Sequence, residues 1–183
     1  MWSARVRIAA RLIVVVALAT LTAACFQPMY AVHTDGTPDL REKLLGVEVP
    51  PVNKPNGSRE ARIGVEIRNA LAFKLYGNAT GLAPTHRLVL RFTTTRSSLM
   101  IDPKTGLPTS ENFGIDAQFD LIDLATKKSV MTGSTFARVS YDMPGSYQRF
   151  ARSRALRDAE DRAAKEIADN IQTRIASYFV AGT

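Results

Sequence analysis

Apolar residues in this chain recur first at helical and then at alternating spacing, and the switches between the two periods mark out its elements. Leu44-Leu45-Gly46-Val47-Glu48-Val49 reads as a short strand ended by Pro50-Pro51. A loop with Asn53, Pro55, Asn56 and Gly57 leads to Ser58, whose hydroxyl suits a helix N-cap. Behind it Ile63, Ile67, Ala70, Leu71 and Leu75 share one helical face, and Gly77 supplies the stop. The period then becomes two. His86, Leu88, Leu90 and Phe92 share one side of a strand, while Arg87, Val89, Arg91 and Thr93 share the other, and threonines and serines continue it to Ile101. The breaker-rich turn Asp102 to Pro108 precedes a strand with Phe113, Ile115, Ala117, Phe119 and Leu121 inward and Asp116, Gln118 and Asp120 outward. A loop at Ala125-Thr126-Lys127-Lys128 leads into a strand from Ser129 to Tyr141. The last element is a long helix from about Tyr147, with Ser146 as N-cap and a stripe of Leu156, Ala159, Ala163, Ile167, Ile171, Ile175 and Tyr178.

The order β-α-β-β-β-α predicts an α+β fold: a two-layer sandwich in which an antiparallel-rich four-stranded sheet carries both helices on one face. The last helix would be roughly 50 Å long. A strand of eight residues covers only about 26 Å, so the first turns of the helix are expected to overhang the sheet.

The first residues follow neither period. Arg5, Arg7 and Arg11 precede an unbroken apolar run from Leu12 to Ala19, too short for a spanning helix, and Thr22-Ala23-Ala24 are small. This is the pattern of a cleavable signal, residues 1–24. Cys25 follows the small residues and is the one cysteine of the chain, placed where a lipoprotein signal needs a free thiol for acylation. Phe26 rather than aspartate follows it, so the signal that keeps bacterial lipoproteins in the inner membrane is missing. Residues 25–42, with Pro28, Gly36 and Pro38, read as the lipidated N-terminus and a tether, and residues 43–183 as a single domain.

A single cysteine excludes an internal disulfide framework, a redox pair and a paired-cysteine zinc site. Of the formal charge of +7, three units belong to the signal arginines, which leaves +4 on the mature chain, mildly basic and compatible with an anionic partner. The chemistry of enzymes is hard to assemble. His33 lies in the tether and His86 at a strand start, no G-x-S-x-G surrounds a serine, and neither a metal-ligand spacing nor a phosphate-cradling glycine loop occurs. No catalytic residue, metal or cofactor is assigned.

The candidate binding residues are basic. Arg87 and Arg91 share a strand face, Arg96 follows on the opposite side, and Lys127 and Lys128 occupy a turn. An arginine fork suits phosphate or carboxylate, whereas on an open sheet face it is also simply solvated. Arg149, Arg152, Arg154 and Arg157 crowd the start of the long helix, where positive charge opposes the helix dipole. Arg154 with Asp158, and Arg157 with Asp161, stand four apart and are expected to pair.

Three segments give these patterns a family likeness: Cys25-Phe26-Gln27-Pro28-Met29-Tyr30, the strand end Val139-Ser140-Tyr141-Asp142, and the helix segment from Ala155 to Ala164. Together with the order of elements, they resemble the LPS-assembly lipoprotein family (LptE) in its alphaproteobacterial form, apart from the missing glycine after the cysteine. The resemblance implies a non-catalytic lipoprotein on the periplasmic side of the outer membrane. It implies as partner the large β-barrel LPS-assembly protein LptD, whose lumen the domain plugs while supporting barrel assembly and lipopolysaccharide insertion. Lipopolysaccharide is a further expected ligand and nucleic acid is not. Under this reading Arg91 and Arg96, near the turn from Ile101 to Pro108, contact partner carboxylates or lipid phosphates. The alternative is an accessory lipoprotein of a phospholipid transport system of the ABC type, which would share the anchor, the small domain and the basic face.

Overall fold

The structure, a computed structural model, describes residues 39–77, 82–143 and 148–181. The expected signal peptide, Cys25, most of the expected tether and the expected cap at Ser146 lie outside the described residues. From Leu40 onward the chain forms one compact unit with the elements α1 (Leu40–Leu45), β1 (Val47–Glu48), α2 (Arg59–Tyr76), β2 (His86–Ile101), β3 (Pro108–Asp123), β4 (Ser129–Asp142) and α3 (Arg149–Ala181). The sheet order is β1-β2-β3-β4. β1 runs parallel to β2, and the β2-β3 and β3-β4 pairs are antiparallel. The expected α+β sandwich is therefore present, with a mixed sheet.

The first element differs from the expected strand. Leu40 and Leu44, one helical turn apart, are both buried, and Lys43 Nζ donates to the carbonyl of Phe179 at 3.2 Å, so the chain coils until Gly46. Only Val47 and Glu48 pair with β2. A Cβ on Gly46 would stand 2.6 Å from Thr85 Oγ1, so a bare glycine lets the two strands close up.

α2 forms as its sequence indicates. Ser58 is extended and its hydroxyl accepts from Ala61 N at 3.0 Å, while Gly77 ends the helix at φ 58° with its N–H on Phe73 O. Ile63, Ile67, Leu71 and Leu75 are buried against the sheet and against α3. The same period makes Leu88, Leu90 and Phe92, then Phe113 to Leu121 at every second residue, and Ala137, Val139 and Tyr141 the sheet's contribution to the core. α3 lays Ala159, Ala163, Ile167, Ile171, Ile175 and Phe179 over it and is continuous through Ser153.

The expected overhang of α3 is corrected by strand length. β2 and β3 are 16 residues each, about 50 Å, which matches a helix of 33 residues. Lys74 pairs with Asp169, and Arg62 with Asp161 at 2.9 Å, so α2 and α3 run parallel. The i,i+4 pairs expected at the start of α3 do not form either. Asp158 is taken by Arg162 at 2.8 Å, and Asp161 turns to Arg62 on α2. An acid placed four residues before its base is the better orientation on a helix, which favours Asp158 with Arg162 over Arg154 with Asp158.

Gly133 on β4 sits beneath the ring of Phe119, with which it is in register, and a Cβ there would stand 2.5 Å from Phe119 Cζ. Because Phe119 is fully buried, the ring has no free direction in which to yield. Gly133→Val is expected to destabilise the domain by about 1–3 kcal/mol through overpacking, read as a lower urea midpoint at unchanged slope.

Candidate functional site

Among the described residues the helices cover one sheet face and leave the other open. Cross-strand register orders the open face into rows: Val89, Asp120 and Thr132; Arg91, Gln118 and Ser134; Thr93, Asp116 and Phe136; Thr95, Gly114 and Arg138. Phe136 is the exposed aromatic of a surface otherwise made mostly of arginine, acid, amide and hydroxyl groups.

Its charges are matched internally. Arg91 Nη2 donates to Asp120 Oδ2 at 2.7 Å, and Thr132 Oγ1 donates to the other oxygen of Asp120 at 2.9 Å. Arg87 Nε donates to Glu48 Oε2 at 2.9 Å. Arg138 reaches Asp116 Oδ1 at 2.7 Å, gives a second nitrogen to the carbonyls of Ile115 and Ala137, and stands over the ring of Phe136. Its side chain crosses Gly114, where a Cβ would approach Arg138 Cδ to 3.0 Å. Sequence reasoning passed over Arg138; a glycine inside an alternating strand was the available sign that something crosses there.

The basic candidates are not one cluster. Arg87 and Arg91 lie on the open face. Arg96, an even-numbered residue on the same strand, lies on the helix side at the far end of the sheet, so no single small ligand touches both Arg91 and Arg96. Arg96 neighbours Tyr141, whose hydroxyl donates to Glu111 in a short hydrogen bond. Burial above all, and then the Glu111 carboxylate, push the Tyr141 phenol up to about 12, against a smaller lowering by Arg96. Lys127 and Lys128 occupy the β3-β4 turn at the opposite end of the sheet from the β2-β3 hairpin, with Lys127 at φ 57°.

The hairpin turn itself was not foreseen as a surface. Leu99, Met100, Ile101 and Leu107 are 53%, 66%, 61% and 47% exposed around it. The turn is nonetheless well knit. Asp102 accepts from Lys104 N at 2.9 Å and from the Thr105 hydroxyl at 3.1 Å, and Gly106, at φ 66°, donates to Asp102 O. Those bonds, the backbone one first, hold the Asp102 carboxyl below its ordinary range. Contacts fix the neighbouring level of α3: Arg152 reaches Met143 Sδ, Met143 N donates to Thr109 O, and Thr109 Oγ1 donates to Met100 O. The first turn of α3, with the exposed Phe150, thus stands level with the base of this apolar tip.

His86 sits at the start of β2 with its Nδ1 2.9 Å from Thr85 Oγ1. Its ring is edge-on to Phe179 at 5.1 Å, and partial burial lowers its pKa, with Asp123 opposing. No group of three or more potential metal ligands occurs among the described residues. No described helix is long and apolar enough to cross a membrane.

The family model for lipopolysaccharide assembly, LptE, matches residues 44–175, which spans β1 and almost the whole of α3. The chain belongs to the LptE family. Its members are non-catalytic lipoproteins of lipopolysaccharide assembly. No curated protein matches the sequence. Among solved structures, a putative lipoprotein from Caulobacter crescentus superposes with a TM-score of 0.62 at 21% identity, covering 79% of this chain and 97% of that one. This likeness concerns the fold. Rare lipoprotein B from Shewanella oneidensis gives a TM-score of 0.49 at 20% identity over 74% of this LptE chain and 96% of its own. A minor lipoprotein from Acinetobacter baumannii gives 0.48 at 14% identity, over 72% and 89%.

Proposed function

We propose that this LptE protein is anchored through acylated Cys25 to the periplasmic side of the outer membrane and fills the lumen of the LPS-assembly barrel LptD. There it supports barrel assembly and the insertion of lipopolysaccharide. The observation that carries the reading is the open sheet face. It is broad and polar, and Arg87, Arg91 and Arg138 each have a carboxylate of this chain as partner. Such a face needs no counter-charge to be covered, and the interior of an outer-membrane barrel is polar. The paired state of Arg87 and Arg91 also bears on lipid binding. A lipid phosphate would have to displace Glu48 or Asp120, so these arginines fit contacts that exchange one anion for another better than an empty anion hole.

The test is capture from solubilised outer membranes with the acylated full chain. Recovery of a large β-barrel at near-equal amounts is the expected result, and recovery of inner-membrane transporter subunits instead would overturn it in favour of a phospholipid-transport role. The anchor has its own measurement. Replacement Cys25→Ala is expected to abolish incorporation of labelled palmitate and to leave the thermal unfolding of the unit that begins at Leu40 unchanged, since Cys25 stands 15 positions before it in the sequence. Label retained on the variant would refute acylation at this cysteine.

A further inference from the structure

We propose that the free edge of β4, from Thr132 to Arg138, is a pairing site at which an extended polypeptide segment of the barrel partner adds a further strand to the sheet; the inference rests on the barrel reading above. The order β1-β2-β3-β4 gives β4 one neighbour among the described residues. Its hydrogen-bonding alternation is fixed at one end, where Met143 N donates to Thr109 O at 2.8 Å. Counting back by twos in the same register, Tyr141, Val139, Ala137, Thr135 and Gly133 bond to β3, and the residues between them turn N–H and C=O to the open side. Arg162 Nη2 meets the carbonyl of Ser140 at 3.5 Å from α3, which is where that alternation puts it.

For Thr132, Ser134, Phe136 and Arg138 no described backbone or side-chain group takes the outward N–H or C=O. Long edges are normally blunted by lysine, proline, a bulge or a covering element. Here the register runs without interruption from Asp142 to Met131, and the first irregularity comes at Leu121/Ile122. No lysine or proline occurs between Thr132 and Arg138, and the one charge, Arg138, turns away across Gly114 towards Asp116. Beside this edge runs a groove of about 850 Å³, whose lining includes Ser134, Thr135 and Phe136 of β4 and Glu166, Asn170, Thr173 and Arg174 of α3.

The alternation of donors and acceptors selects the occupant. A lipid headgroup offers acceptors in plenty but no N–H groups spaced along a line, whereas an extended peptide offers both. The groove's walls, with serine and threonine on β4 and glutamate, asparagine, threonine and arginine on α3, suit a segment that carries polar side chains. Phe136, 64% exposed, offers one apolar contact in the middle. A loop of a lumen-lining partner has that character, and a second copy of this chain paired β4 to β4 is the competing outcome.

The experiment compares the full acylated chain with Ser134→Pro and Ser134→Val, each produced together with the barrel. Proline removes an outward N–H and is tolerated on a sheet edge, while valine changes the side chain and keeps the N–H. Ser134→Pro is expected to lower barrel recovery by about tenfold and Ser134→Val to keep it within about twofold. Full recovery with Ser134→Pro overturns the edge inference and leaves the barrel reading standing, whereas failure of the unaltered chain to recover the barrel overturns both. Should the proline variant fail to fold, amide exchange on the unaltered complex decides. The amides of Thr132, Ser134, Phe136 and Arg138 are expected to slow by about 100-fold on complex formation, those of Thr135 and Ala137 being protected already. Unchanged exchange at the even positions refutes the pairing, as does protection that appears in the isolated chain on raising its concentration, which would assign the edge to a second copy.

Discussion

Arg62→Met is expected to destabilise the domain by about 3 kcal/mol, and adding Glu160→Gln is expected to restore most of that loss. Glu160 lies on the buried stripe of α3 with 3% of its surface exposed. Its carboxylate is held between two α2 residues, Arg62 in a short ion pair and Arg59 at 3.3 Å. Burial raises the pKa of Glu160, and the attraction of Arg62 and then Arg59 offsets this only in part. The charge is therefore a cost that the arginines reduce. Removing Arg62 leaves a carboxylate in the core with the longer, half-exposed contact to Arg59, the expensive kind of change. Glutamine keeps the shape and drops the charge. A urea double-mutant cycle measures the coupling; a single loss at Arg62 below about 1 kcal/mol, the level of a surface pair, would refute the account. The pH dependence follows in sign. Since the folded pKa is raised, the stability contributed by Glu160 is full below the ordinary carboxylate range and is lost as pH rises through the raised folded value. The unaltered chain should accordingly lose stability relative to Glu160→Gln as pH rises above the ordinary carboxylate range.

The same residue illustrates what a linear reading of this chain reaches. Period-two patterning over β2 and β3 and the Ser58 and Gly77 signals are local, so those elements and their buried faces were legible. Partners contributed by another element were not. Asp161 looked like a helix partner for Arg157 and belongs to Arg62; Arg91 looked like a free fork and is held by Asp120 on the next strand. The short first strand misled because Leu44 and Leu45 suit a helix or a strand equally, and the choice was made by Leu40 and by the carbonyl of Phe179, remote in sequence. Which strand would be the edge was hidden as well, since it depends on sheet order. The candidate arginines lie on the sheet faces that strand alternation gives them, yet their availability is a tertiary property.

The paired double change Met100→Asp with Ile101→Asp is expected to leave stability within about 0.5 kcal/mol of the unaltered chain and to reduce recovery of the barrel partner by about tenfold or more. The first half follows from exposure: both side chains are more than 60% exposed at the end of β2, beyond the core contributions of Phe113 and Tyr141, so acids there forfeit little buried area. The turn that shapes the tip depends on Asp102, Thr105 and Gly106, which the change leaves in place. The second half follows from the same exposure read the other way. Leu99, Met100, Ile101 and Leu107 form an apolar tip on a hydrogen-bonded hairpin turn that no described element of this chain covers, and a cluster of that kind is the anchor one expects at a protein contact. If the proposed barrel reading holds, the open face would offer a broad polar surface with little net charge, which gives fit without much affinity. Under the same reading the tip would add the concentrated apolar burial that the face lacks. Circular dichroism and urea unfolding separate the two halves of the prediction, and co-purification with the barrel measures the second. Barrel recovery equal to that of the unaltered chain, with the fold intact, would show that the tip points away from the partner and would transfer the burden of binding to the polar face and the β4 edge.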